Sequence, residues 1–96
     1  MTWYLYMLEC RDGSIYTGIA RDVQARLAQH LCGKGARYTR SHPPRRLLAT
    51  VPYPDRGAAL RAEYAMKRLS ARDKRRFCLQ QAQLWRVGRE QLPSPE

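Results

Sequence analysis

The stretch from Trp3 to Gly18 restricts the fold of this chain more than any other, because strand-forming residues flank a segment with turn chemistry. Trp3-Tyr4-Leu5-Tyr6-Met7-Leu8 is aromatic and branched, Arg11-Asp12-Gly13-Ser14 suits a tight turn, and Ile15-Tyr16-Thr17-Gly18-Ile19 returns to strand residues. A β-hairpin is expected. Side chains alternate across a strand, so Tyr4 and Tyr6 share one face, Leu5 and Met7 share the other, and Tyr16 lies with Gly18 on the partner strand. The Tyr6 and Tyr16 phenols can therefore face one another across the pair.

A chain of 96 residues builds one core and has no length to spare for another. Eighteen Lys and Arg against eight Asp and Glu leave a formal charge of +10, too lopsided for an enzyme of neutral small molecules. Most of the excess is arginine, whose planar fork suits phosphate better than an ammonium does. The expected partner is a polyanion, nucleic acid first, with an acidic protein or a membrane surface as alternatives. Cys10, Cys32 and Cys78 are odd in number and lack C-x-x-C spacing, which fits reduced thiols rather than a disulfide framework or a zinc finger. With no signal-like start and no apolar run near the ~18 residues of a membrane span, a cytoplasmic location is expected.

After the hairpin, Asp22 can cap a helix whose apolar Val23, Leu27 and Leu31 recur every four positions, closed by Gly33 in a left-handed C-terminal cap. Arg26 and His30 are neighbours on this helix and border its buried face without belonging to it. Alone they read as a solvated charge and a cation favoured at a helix C-terminus. The segment from Gly33 to Arg46 is a loop by composition, with Lys34, Arg37, Arg40, Arg45 and Arg46 around Tyr38 and no acid. Such a segment suits contact with a phosphate backbone, though a solubilising loop has the same composition. Arg46 to Val51 reads as a third strand ending at Pro52 and Pro54.

Asp55 then caps a helix to about Leu69 with Ala59, Leu60, Ala62, Met66 and Leu69 on its apolar side. Glu63 falls among these core-facing positions, where an ionised carboxylate is costly without a cation; the alternative is an i, i+4 pair with Lys67 that points to solvent. Ser70 and Asp73 open a last helix to about Trp85, with Cys78, Ala82 and Trp85 turned inward and Arg72, Lys74, Arg75 and Arg76 forming a solvated basic face. Residues 1–85 are expected to form the domain and 86–96 a frayed tail.

Taken in order, Tyr6, Tyr16-Thr17-Gly18, Arg26, His30 and Glu63 resemble the GIY-YIG nuclease family, and Gly33-Lys34-Gly35-Ala36-Arg37-Tyr38-Thr39-Arg40 with Ala59-Leu60-Arg61-Ala62-Glu63 is similar to its stand-alone single-domain bacterial members. Three departures stand out: Tyr4-Leu5-Tyr6 keeps only the last residue of the first motif, Thr17 replaces the central isoleucine of the second, and the chain has no asparagine. The resemblance implies an α+β fold, a small three-stranded antiparallel sheet flanked by helices in the order β-β-α-β-α-α. It also implies an endonuclease that hydrolyses DNA phosphodiesters with low sequence specificity, in repair or recombination, on branched or otherwise structured DNA. RNA is a further candidate substrate, and a protein partner could supply targeting.

In that resemblance one Mg²⁺ or Mn²⁺ ion is held by Glu63, Arg26 neutralises the scissile phosphate, Tyr6 takes a proton from the attacking water with help from His30, and Tyr16 bonds the water or phosphate. Lys34, Arg37, Tyr38, Arg40, Arg45 and Arg46 would contact the nucleic acid. A free phenol has a pKa of ~10, so about one in a thousand is ionised at neutral pH. A cation ~4 Å away can shift this by nearly three units at an effective dielectric of ~20, so the tyrosine base needs a charge or His30 very close. Without the chemistry, the same residues read as a cross-strand aromatic pair on a non-catalytic nucleic-acid-binding module, or a protein-interaction domain for an acidic surface.

Overall fold

A computed structural model describes the backbone of residues 1–91 and the side chains through Gln81. The elements run β1 (Trp3–Cys10), β2 (Ile15–Ala20), α1 (Val23–Leu31), α2 (Arg37–Ser41), β3 (Pro44–Tyr53), α3 (Arg56–Lys67) and α4 (Ala71–Gln91). The three strands form an antiparallel sheet in the order β2-β1-β3, so the tyrosine-bearing strand is central. Gly13 takes φ +86 in the hairpin turn, and the Asp12 carboxylate accepts from the Ser14 backbone N–H at 3.0 Å and from its hydroxyl at 2.6 Å.

Strand alternation divides the core. On one face Tyr6, Leu8 and Ala20 pack with Tyr16 and with Val23 and Leu27 of α1. On the other Leu5, Met7 and Ile15 pack against Met66 of α3 and Cys78 of α4. A register shift between Met7 and Leu8 lets β3 serve both faces: Leu47 joins the α1 side, while Leu48 and Ala49 join the α3 and α4 side. Because β3 is an edge strand, it holds Pro44 and Pro52 and runs longer than its apolar centre suggests.

Both long-range helix starts follow the sequence reading. Asp22 accepts from the Ala25 N–H at 3.0 Å and Asp55 from the Ala58 N–H at 2.8 Å. The end of α1 is a Schellman closure, with Lys34 N–H donating to Gln29 O at 2.9 Å, Gly33 N–H to His30 O at 3.2 Å, and Gly33 at φ +74. Ser70 caps α4 by accepting from the Asp73 N–H at 3.1 Å.

Five expectations are corrected. The segment after Gly33 is not all loop, since α2 lies within it. On α1 the buried residue is His30, 1% exposed, whereas Leu31 is 63% exposed; the segment that follows α1 folds back over the imidazole and leaves the leucine outside. Leu69 lies beyond α3 and is exposed. Arg75 is no solvated charge: its guanidinium donates to Glu9 Oε2 at 2.8 Å and to the Gly13 carbonyl, tying α4 to the hairpin. The last helix continues past Trp85 to Gln91, while the inward packing expected of Ala82 and Trp85 and the tail beyond Gln91 fall outside the described residues.

Glu9 had no assigned role in the sequence, yet it is buried at the end of β1 beneath arginines from distant elements. Arg46 Nε reaches it at 3.1 Å, Arg75 Nη1 at 2.8 Å and Arg45 at 4.0 Å. The hydrogen bond from Arg75, followed by those from Arg46, holds the Glu9 carboxyl below the usual range. A depressed folded-state pKa contributes stability above the unfolded value that is lost as pH falls through the folded one. Glu9→Gln should therefore melt below the parent at neutral pH, and the gap in Tm should close under acid; a gap independent of pH would show that the ion cluster does not anchor α4.

Among the described residues, Thr17 Oγ1 is the buried side-chain oxygen without a hydrogen-bond partner. An unsatisfied buried hydroxyl costs about 1–3 kcal/mol. Thr17→Val keeps the shape and removes the hydroxyl, so urea unfolding should show a gain of about 1 kcal/mol; a loss would mean the hydroxyl has a partner.

Candidate active site

The site grows from the close approach of β1 and β2. Tyr6 pairs with Gly18, and a Cβ at Gly18 would lie 2.6 Å from the Tyr6 hydroxyl oxygen and 2.7 Å from its ring carbon Cζ. Glycine at this position is what lets the phenol cross over β2. Tyr16 stands one step along on the same face, with ring centroids 6.2 Å apart. The phenols thus meet as the hairpin reading required.

Helix α1 brings His30 to them. The Tyr6 hydroxyl lies 2.8 Å from His30 Nε2, and the imidazole meets the Tyr16 ring edge-on at a centroid distance of 5.2 Å. The other ring nitrogen, Nδ1, lies 2.6 Å from Thr39 Oγ1, and that hydroxyl donates to the Ala36 carbonyl at 2.9 Å. Gly35 packs against the same ring; a Cβ there would collide with Nδ1 and crowd the ring and backbone of His30. The glycine-rich segment is therefore a clamp on the histidine as well as a carrier of positive charge.

Arg26, half-buried one turn before His30, donates from Nη1 to Gln29 Oε1 at 2.7 Å. Its charge acts on Tyr6, Tyr16 and His30 alike. Burial first, and then the Tyr16 phenol, push Tyr6 up to about 12 despite Arg26. Burial also raises Tyr16, with Arg26 opposing and Glu63 adding to the rise. Burial and Arg26 lower His30, which stays neutral at physiological pH. The direction at Tyr6 is opposite to what a tyrosinate base needs: at about 12, only some one in 10⁵ phenols is ionised at pH 7.

Glu63 comes from α3, on the opposite face of the sheet from α1. Its charge adds to the rise at Tyr16. Its side chain is 20% exposed and lies 3.8 Å from Lys67 Nζ. The i, i+4 pair forms, but the carboxylate is largely covered rather than turned to solvent. Among the described residues no group of three or more His, Cys, Asp or Glu gathers as a metal cage.

The remaining sequence-selected residues spread over a wider surface. Tyr38 stacks on Tyr16 at 5.8 Å and on His42 at 4.2 Å, extending the aromatic row outward. Lys34, Arg37 and Arg40 are exposed, with no acidic partner among the described residues. Arg45 is exposed at the rim of the Glu9 cluster, and Arg46 is committed to Glu9. Sequence reasoning missed Thr39 and Glu9. Nothing in the spacing of Thr39 announces it, whereas an acid on the apolar face of β1 in so basic a chain was a usable signal for Glu9.

The GIY-YIG catalytic-domain model matches residues 2–76. With this sheet, helix order and residue set, the chain belongs to the GIY-YIG family of nucleases, for which nucleic acid is the implied substrate. It is 58% identical over 76 residues to a UPF0213 protein of Cupriavidus pinatubonensis, covering 79% of this chain and 84% of that one. Its fold is similar to the solution NMR structure of a UPF0213 protein from Bacillus halodurans, with a TM-score of 0.51 and 49% identity over 80% of this chain and 82% of the other. It is also similar to the solution NMR structure of a protein from E. faecalis, with a TM-score of 0.60 and 34% identity over 88% of each chain. No helix among the described residues is long and apolar enough to cross a membrane.

The Gly18 contact has a direct test. Gly18→Ala should displace the Tyr6 phenol or cost about 1–3 kcal/mol of stability. Wild-type stability together with an unmoved Tyr6–His30 hydrogen bond, read by NMR, would show that the space is not needed.

Proposed function

We propose that this protein is a metal-dependent endonuclease of DNA with low sequence specificity, and that Tyr6, Tyr16, Arg26, His30 and Glu63 carry the reaction. The observation that supports it most is the buried 2.8 Å contact between the Tyr6 hydroxyl and His30 Nε2. The phenol need never become a free tyrosinate. As the attacking water loses a proton to the Tyr6 oxygen, the phenolic proton passes to His30 Nε2, and the bond from water oxygen to phosphorus forms. The P–O bond to the leaving oxygen breaks, that oxygen takes a proton from solvent water, and the imidazolium returns its own to solvent. Tyr16 orients the water or a phosphate oxygen. Arg26 offers a planar cation to the phosphate, exchanging its Gln29 contact for it.

A divalent ion fits the donor set. Glu63 is a partly exposed carboxylate, and at 3.8 Å its ammonium partner is beyond hydrogen-bond length. A hard ion such as Mg²⁺ or Mn²⁺ keeps several waters and needs only one or two protein carboxylates. When bound, such an ion polarises a phosphoryl oxygen and neutralises developing charge. Lys34, Arg37, Arg40 and Arg45 supply backbone contacts and Tyr38 a stacking face, with Arg46 contributing what its bond to Glu9 leaves free. Backbone contacts carry no base code, so cleavage would follow DNA shape or a targeting partner, as in repair or recombination.

A second reading, a binding module without turnover, draws on the Arg26–Gln29 and Glu63–Lys67 pairs, which occupy both charged groups internally. One assay separates the two. Purified protein is offered branched, flapped and plain DNA duplexes with and without Mg²⁺. Cleavage should need the metal, fall about 10²–10⁴-fold in Tyr6→Phe and about 10²–10³-fold in Arg26→Ala, and vanish in Glu63→Gln. Full activity in folded Glu63→Gln would overturn the proposal, and salt-dependent binding with no turnover, insensitive to EDTA, would establish the binding module.

A further inference from the structure

Thr39 lies in a segment whose composition suggests only a basic, flexible binder, yet its side chain is 2% exposed and sits against the histidine. A threonine hydroxyl has a single proton to donate. Its 2.9 Å contact with the Ala36 carbonyl uses that proton, since a carbonyl oxygen can only accept. With that proton on the Ala36 carbonyl, the 2.6 Å contact between Thr39 Oγ1 and His30 Nδ1 is a donation from the ring, Nδ1–H to oxygen. A neutral imidazole carries one N–H, so Nε2 is left as a bare lone pair, 2.8 Å from the Tyr6 hydroxyl. The hydrogen bonds run in one direction, from Tyr6 through His30 and Thr39 to the Ala36 carbonyl.

We propose that Thr39 is a positioning residue that selects the His30 tautomer able to accept the Tyr6 proton. The opposite tautomer would aim an N–H at the phenol and could accept nothing from it. After transfer both ring nitrogens carry protons, Nε2–H facing Tyr6 and Nδ1–H still held by Thr39, so the oxygen that sets the tautomer also stabilises the cation without moving. Gly35 serves the same end, since any side chain there would occupy the space of Nδ1. The short helix α2 fixes Thr39 because its first turn already uses the Ala36 carbonyl, which accepts from the Arg40 N–H at 3.2 Å as well.

This rests on the proposed role of Tyr6 and His30, but its primary test does not need turnover. Imidazole ¹⁵N shifts and long-range ¹H–¹⁵N correlations, recorded on full-length protein above the His30 titration, report which nitrogen is protonated. The wild type and Thr39→Ser should show Nδ1–H, and folded Thr39→Val should lose that preference. In the nuclease assay Thr39→Val should lower kcat about 10–100-fold with KM little changed, and Thr39→Ser should restore most of it. Nε2–H in the wild type overturns the proposal, as does a folded Thr39→Val with the wild-type tautomer; should Thr39→Val fail to fold, the wild-type and Thr39→Ser spectra decide alone. Absence of cleavage in the wild type, with the tautomers as expected, would overturn the nuclease reading while leaving the tautomer assignment intact.

Discussion

The hydrogen bond between Tyr6 and His30 organises one whole face of this molecule. Both side chains are buried, so neither polar group can exchange its partner for water, and losing either would leave a buried polar atom unsatisfied. That requirement draws together elements far apart in the chain. The central strand carries the phenol, α1 the imidazole, and α2 the hydroxyl that occupies the second ring nitrogen. Close approach is then obligatory, which explains the two glycines: Gly18 clears room for the Tyr6 phenol and Gly35 for the His30 ring.

The other face is held differently. Its core is apolar, and α4 is locked to the hairpin by Arg75, which reaches both Glu9 and the Gly13 carbonyl. A buried carboxylate with several guanidinium partners is not a strong source of net stability, because desolvation offsets much of the attraction. Its value lies in direction, since Glu9 takes hydrogen bonds from both α4 and β3. The cluster also occupies part of the basic surface, while Lys34, Arg37 and Arg40 near the aromatic row stay exposed. The two faces are not electrostatically isolated, since the carboxylate of Glu63 on α3 adds to the rise at Tyr16, which packs on the α1 side.

Much of this was readable because it is local. Strand alternation put the tyrosines on one face, Asp22, Asp55 and Ser70 marked helix starts through their own backbone contacts, and Gly33 marked a left-handed closure. Helical spacing likewise sets the reach of Glu63 to Lys67. Burial of His30 was misjudged because helical periodicity ranks Leu31 above it. The segment of Gly35 and Thr39, however, folds over the imidazole, and no periodicity within α1 encodes what later covers it.

The sequence by itself determined the hairpin, the caps, the polyanion-seeking charge and the ordered residue set that resembles a nuclease family, because each depends on spacing along the chain or on composition. Tertiary structure alone decided that the phenol is raised rather than lowered, that Thr39 governs the histidine, and that Arg46 and Arg75 serve Glu9. Those outcomes depend on desolvation and on partners supplied by distant segments, and the energy of burying a polar group is set by what surrounds it in space.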